Sequence, residues 1–279
     1  MTPSDDILAA LRRFDNDRYL TCLFAPAARR GQLAALYAFN LEVAKTAEVV
    51  QEPMLGQIRL QWWREAVAEI YAGKPRRHDV VAALAAAVAD CGLPQDGLQG
   101  LIDAREFDLA GQAPKDLKDL EDYARASSSR LVILALRTLG CGGTAADAAG
   151  EALGLAWALT GLLRAVPFHA RQKRCYLPDD IVAETGLKRG DFFELRRSPE
   201  LRAATAALAA AAETHLTAAL AQARGVPKAG RAALLPATLA RGYLATLRRA
   251  AYDPFAVQVQ QQPPGRVWRL AWASLSGRL

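Results

Sequence analysis

The chain has 279 residues and a formal net charge of +6, with 52% apolar and 23% charged residues. At roughly 150 residues per domain, that length allows one large or two ordinary cores. The alanine-rich composition favours helix and excludes a disordered chain, a collagen-like repeat and a disulfide scaffold; an all-β fold is not expected. The basic residues are dispersed, with short clusters at Lys74-Pro75-Arg76-Arg77 and Arg171-Gln172-Lys173-Arg174. This distribution favours anionic partners in general, whether phosphates, diphosphates or an anionic membrane surface, and nothing in it calls for nucleic acid.

The start, Met1-Thr2-Pro3-Ser4-Asp5-Asp6, is acidic and has neither an apolar signal region nor an arginine-rich amphipathic stretch, so a cytoplasmic start is expected. Helical periodicity then recurs between breaks at Pro and Gly, giving roughly ten helices. The clearest run from Ala27 to Val50, Leu55 to Tyr71, His78 to Asp90, Leu117 to Leu139, Thr144 to Val166, Pro199 to Arg224 and Pro236 to Ala251. Asp116 or Asp119 is placed to cap the Leu117 helix. Apolar stretches such as Val80 to Val88 fall short of the roughly 20 residues that cross a bilayer. Cys22, Cys91, Cys141 and Cys175 lie far apart with no CxxC pair, which fits a reduced compartment and gives no zinc or thioredoxin-like motif. No linker divides the chain, and one domain is expected over residues 1–279. The stretch Gln260-Gln261-Gln262-Pro263-Pro264-Gly265 sets off a short tail, 265–279. Its Val267-Trp268-Arg269-Leu270-Ala271-Trp272 reads either as an amphipathic interfacial anchor or as a helix packed back on the bundle. The expected fold is all-α, a helical bundle around a central cavity.

Three stretches resemble the squalene/phytoene synthase family, the head-to-head branch of the isoprenoid synthase fold. The first holds Arg18-Tyr19-Leu20, Phe24-Ala25-Pro26, Arg29-Arg30 and Tyr37-Ala38-Phe39, followed by Gln61-Trp62-Trp63-Arg64. The second is Asp119-Leu120-Glu121-Asp122-Tyr123, leading into Ser127-Ser128-Ser129-Arg130. The third runs Gly154-Leu155-Ala156-Trp157, Leu162-Leu163-Arg164 and Tyr176-Leu177-Pro178. With Arg241-Gly242-Tyr243 and Tyr252-Asp253-Pro254-Phe255 they cover most of the chain in the family's order.

The resemblance implies two aspartate-rich motifs on facing helices, holding Mg²⁺ ions that neutralise a departing diphosphate. Here the chain departs from the pattern. After Phe39 it carries Leu41, Ala44, Lys45 and Glu48, and after Arg164 it carries Ala165, Phe168 and His169. One carboxylate facing a histidine, with a lysine alongside, is a poor seat for hard cations. No metal and no catalytic residue is therefore expected, and Mg²⁺ would be the cofactor only of an active prenyltransferase. Leu163-Arg164-Ala165-Val166-Pro167-Phe168-His169 and Phe39-Asn40-Leu41-Glu42 resemble the branch that contains assembly factors of respiratory NADH:ubiquinone oxidoreductase, in which the fold persists without the aspartates. The composition points to a bacterial source.

Three functions follow: a non-catalytic assembly factor with a respiratory-complex subunit as client, a prenyltransferase joining isoprenyl diphosphates, or a module binding an isoprenyl diphosphate or anionic lipid, peripheral to the inner membrane. The candidate ligand-binding residues are Lys45, Glu48, Arg164, His169, Arg171 and Lys173, with Trp62 and Trp157 as apolar lining. Several have a plainer reading. His169 beside Pro167 suits a hydrogen-bonded structural histidine, Lys45 is spaced to pair with Glu42 or Glu48, the basic loop suits solvent, and the tryptophans suit the core. Ser127-Ser128-Ser129 has no Asp-His partner spacing and reads as small residues for close packing.

Overall fold

A computed structural model describes residues 3–50 and 52–279. Among these the chain is all-α, with no strand. In order it forms α1 (Pro3–Phe14), α2 (Asn16–Cys22), α3 (Ala27–Ala44), α4 (Thr46–Val49), α5 (Pro53–Tyr71), α6 (Asp79–Cys91), α7 (Gln95–Asp103), α8 (Glu106–Ala110) and α9 (Leu117–Ala124). A π-helical turn, Arg125–Ser129, joins α9 to α10 (Arg130–Thr138). Then come α11 (Thr144–Arg171), α12 (Asp179–Thr185), α13 (Arg189–Phe193), α14 (Pro199–Gln222), α15 (Arg231–Leu234), α16 (Pro236–Arg249), α17 (Val257–Gln260) and α18 (Arg266–Ser276).

Helix α3 buries every residue from Leu33 to Leu41, as a helix apolar on all sides must. Helix α11 is the other pillar; it packs most extensively against the alanine-rich α14 and also against α10 and α16. Start signals behave as expected: the Asp116 carboxylate caps α9 by accepting the Asp119 N–H at 2.7 Å, and the Ser198 hydroxyl accepts the Leu201 N–H at 3.1 Å ahead of Pro199.

Three differences from the periodicity bear on the cavity. The first predicted helix breaks at Lys45 into α3 and α4. The Leu117–Leu139 helix is interrupted by the π turn, where Gly154 of α11 approaches so closely that a Cβ there would stand 2.1 Å from the Ser129 Cα. Ser129 thus sits at a close helix contact, and π turns of this kind recur where a helix is shaped around a site. Finally, α11 does not end at Val166. It runs through Pro167 to Arg171, since the loss of one hydrogen bond at a proline bends or weakens a long packed helix without ending it. Ala165 and His169 therefore share one helical face.

Candidate functional site: a cavity with no metal clamp

Between these helices lies a cavity of about 440 Å³. Phe14, Arg18, Ala44, Ala47 and Glu48 line it from the first helices, Arg105 and Asp108 from the start of α8, and Tyr123, Ser127 and Ser128 from α9 and the π turn. Helix α11 supplies Trp157, Gly161, Leu162, Ala165, Phe168 and His169, and the following loop supplies Arg174 and Tyr176. Ala44 and Ala165 face the same space, as the sequence reading requires.

The polar end of the cavity is organised around Asp108, a buried carboxylate. Its Oδ1 accepts hydrogen bonds from the Tyr123 hydroxyl at 2.8 Å and the Tyr176 hydroxyl at 2.7 Å. The Arg105 guanidinium donates to Oδ2 at 3.3 Å and to the Tyr123 oxygen at 2.9 Å. Three donors on one carboxylate offset much of its desolvation. Burial and the adjacent Asp108 charge push both tyrosines well above the usual phenol range, so neither is a ready proton donor to a reaction.

His169 packs against Tyr176, with ring centroids 4.6 Å apart and the planes tilted by 48°. Burial, helped by the Arg174 charge and opposed by Asp108, lowers its pKa from 6.5 to about 4, so the imidazole is neutral at physiological pH. Glu48 faces the same space; desolvation and then Asp108 raise its pKa, against the pull of Lys45, Arg174 and Arg105. The Arg174 guanidinium donates to the Ala47 carbonyl at 2.9 Å, tying the loop to α4.

The predicted residues divide. Glu48, Trp157 and His169 line the cavity. Lys45 lies just outside it: its ammonium sits 3.9 Å over the Phe14 ring and 3.5 Å from the Glu42 carboxylate, the pairing its helical spacing allows. Arg164 points elsewhere, 3.6 Å over the Tyr243 ring and 3.4 Å from Asp17. Arg171 is exposed away from the cavity, and Lys173, at positive φ, reaches the Phe193 carbonyl at 3.4 Å. Trp62 does not line the cavity either; it packs edge-on to Trp63 at 4.9 Å, beside His78, with Arg76 over its ring. None of these five lines the cavity: a nearer carboxylate, ring or carbonyl holds Lys45, Trp62, Arg164 and Lys173, and Arg171 faces solvent. The cations that do line the cavity are Arg18, Arg105 and Arg174. Arg18, Tyr123, Arg174 and Tyr176 stood in the quoted motifs or in the basic cluster, but Asp108 sits in a short helix with no periodic signal.

The donor set does not fit a cluster of Mg²⁺. Among the described residues, Glu48 and Asp108 are the carboxylates that line the cavity; Asp108 is committed to three donors, and the guanidinium groups of Arg18, Arg105 and Arg174 line the same space. Among the described residues, no group of three or more His, Cys, Asp or Glu side chains is placed to hold a metal ion. The four cysteines are free thiols, and burial raises all four pKa values. The cavity offers cations, neutral hydroxyls and an apolar wall, an arrangement suited to holding an anionic head group but without an activated nucleophile.

Comparison with known proteins places the chain. It is 32% identical over 255 residues to the mouse and human proteins named "NADH dehydrogenase (ubiquinone) complex I, assembly factor 6", spanning 91% of this chain and 77% of each relative. A 15-cis-phytoene synthase of Synechococcus elongatus is 26% identical over 196 residues, 65% of this chain and 62% of that one. The squalene synthase HpnC of Alicyclobacillus acidocaldarius superposes with a TM-score of 0.80 at 22% identity, covering 91% of this chain and 95% of that one. A ligand-bound dehydrosqualene synthase does so with a TM-score of 0.86 at 20% identity, covering 99% and 96%. The squalene/phytoene synthase family model matches residues 11–272, and the chain belongs to that family.

Proposed function

We propose that this chain is a non-catalytic member of the family that assists assembly of a respiratory NADH dehydrogenase, complex I, acting at the membrane that carries the complex. The cavity carries the reading. Ala44 and Ala165 face it where the resemblance calls for metal ligands, and its buried carboxylate is neutralised by Arg105, Tyr123 and Tyr176. A diphosphate ionises only when its growing charge is met, and no pair of carboxylates stands here to hold the ion that would meet it. The names of the 32%-identical relatives supply the client class. Deleting the gene in its own host tests this. Native gels should show loss of mature complex I with accumulation of subcomplexes, restored by the wild-type gene. Normal complex I together with loss of a squalene- or phytoene-derived lipid would overturn the proposal.

One observation favours a second role for the same cavity, metal-free binding of an isoprenyl diphosphate or anionic lipid. The Ser128 hydroxyl and the Arg105 Nε are buried without a hydrogen-bond partner, and both residues line the space. Farnesyl diphosphate binding measured in EDTA should weaken with salt and disappear in an Arg18→Glu/Arg174→Glu variant. Binding that needs Mg²⁺, or that ignores these substitutions, would contradict it.

A further inference from the structure

Helix α18 is apolar on two sides and packed on one. Leu270 and Ala273 turn inward to meet Leu235, Leu239 and Tyr243 in a small core of their own. The opposite side holds Trp268, Trp272 and Leu275, which are 80%, 66% and 81% exposed. Large apolar side chains clustered on a surface mark a place where something binds. Beside them, a groove between α16 and α18 is lined by Arg241, Arg249, Arg269 and Arg278 together with the two tryptophans. Among the described residues none of these four arginines pairs with a carboxylate, and no Asp or Glu follows Asp253 in the chain. The charged side chains of the groove are these four arginines, of which Arg269 also donates to the Pro264 carbonyl.

We infer that this face is a membrane-docking surface whose partner is a bilayer rich in anionic phospholipid. The charge complementarity is with a plane of phosphate groups, and the tryptophans supply amphipathic rings of the kind that settle at the headgroup boundary. An 11-residue helix is too short to span, and no helix among the described residues is long and apolar enough to cross a membrane; α18 would lie in the plane of the surface. Its orientation is held from beneath: Arg266 donates to Asp17 at 2.7 Å, and Asp17 also accepts the Tyr243 hydroxyl at 2.7 Å, so the helix is fixed to the bundle. This surface is separate from the cavity, and the inference does not rest on the assembly reading.

The test uses the full chain with vesicles of phosphatidylcholine alone, or of phosphatidylcholine with phosphatidylglycerol. Sedimentation at low salt should show at least about tenfold stronger partitioning onto the anionic vesicles, lost at high salt. A W268A/W272A variant should lose about tenfold in partitioning, and an R241Q/R249Q/R269Q/R278Q variant should bind the two vesicle types alike. Brominated phospholipid should quench tryptophan fluorescence of the wild type and not of W268A/W272A, which retains Trp62, Trp63 and Trp157; unchanged thermal unfolding would show both variants to be folded. Equal binding of the wild type to neutral and anionic vesicles, no binding to either, or full binding by both variants would overturn the inference. Salt-sensitive capture of polyglutamate without vesicle binding would overturn it in favour of an acidic protein partner.

Discussion

The cavity and the C-terminal surface use the same residue types, arginine beside aromatic rings, in opposite states. In the cavity, Arg105 is bound to Asp108 and Tyr123. On the α16–α18 face four arginines and two exposed tryptophans have no acidic neighbour to claim them. A nearby carboxylate separates the two cases: Asp108 fixes the Arg105 guanidinium, and no carboxylate fixes the four of the open face.

Removing the carboxylate should break the contrast most severely. Asp108→Ala strands the Arg105 charge and leaves two buried hydroxyls unsatisfied, so unfolding in urea should show a loss of roughly 3–5 kcal/mol. Substituting Arg278→Gln on the open face should shift stability by no more than about 0.5 kcal/mol. Comparable costs at the two positions would show that Asp108 does not organise the cavity.

Acid should expose the same asymmetry. The unfolded chain protonates His169 near 6.5 and the folded chain only near 4. Between those values the unfolded state binds the extra proton, so stability is lost as the pH falls through that window, by on the order of 2–3 kcal/mol. Glu48 acts with the opposite sign, since its raised pKa makes the folded state bind the proton and its contribution fades as the pH rises. His169→Gln should flatten the slope between pH 4 and 6.5, as followed by thermal unfolding in a pH series. A slope identical to that of the wild type would assign the acid sensitivity elsewhere.

A smaller effect concerns the helix contact behind the cavity. Gly154→Ala drives a methyl group onto the Ser129 backbone and should cost about 1–3 kcal/mol. Gly161→Ala on the same helix meets nothing within 4 Å and should be neutral or stabilising by roughly 0.5–1 kcal/mol. Equal melting temperatures for the two variants would mean that the close approach is not required.

These residues also show what the sequence could tell. Helices with strong periodicity and recognisable ends, such as α5, α6 and α14, lie within a few residues of their expected limits. Ala44 and Ala165 were placed on facing walls by the family resemblance, which sets two aspartate-rich motifs on facing helices, and both residues line the cavity. The cations were harder to place. Lys45, Arg164, Arg171 and Lys173 look interchangeable with Arg18, Arg105 and Arg174 in one dimension; tertiary neighbours decide which side chain enters the cavity, and those neighbours come from distant helices. The Asp108 cluster joins three segments, and α8, with five residues, is too short to carry a periodic signal. The π turn was hidden because Arg125–Ser129 holds no large apolar residue to mark the shift of face that its extra residue causes.

The proposed loss of metal-dependent chemistry is tested most directly by incubating the purified full chain with farnesyl and geranylgeranyl diphosphates and Mg²⁺, and measuring products by mass spectrometry. The account predicts no squalene, dehydrosqualene or phytoene above the no-protein control. It also predicts none from an Ala44→Asp variant, because one restored carboxylate beside Arg105 and Arg174 does not rebuild two facing clamps. Mg²⁺-dependent formation of any of these products by the wild-type protein would contradict it.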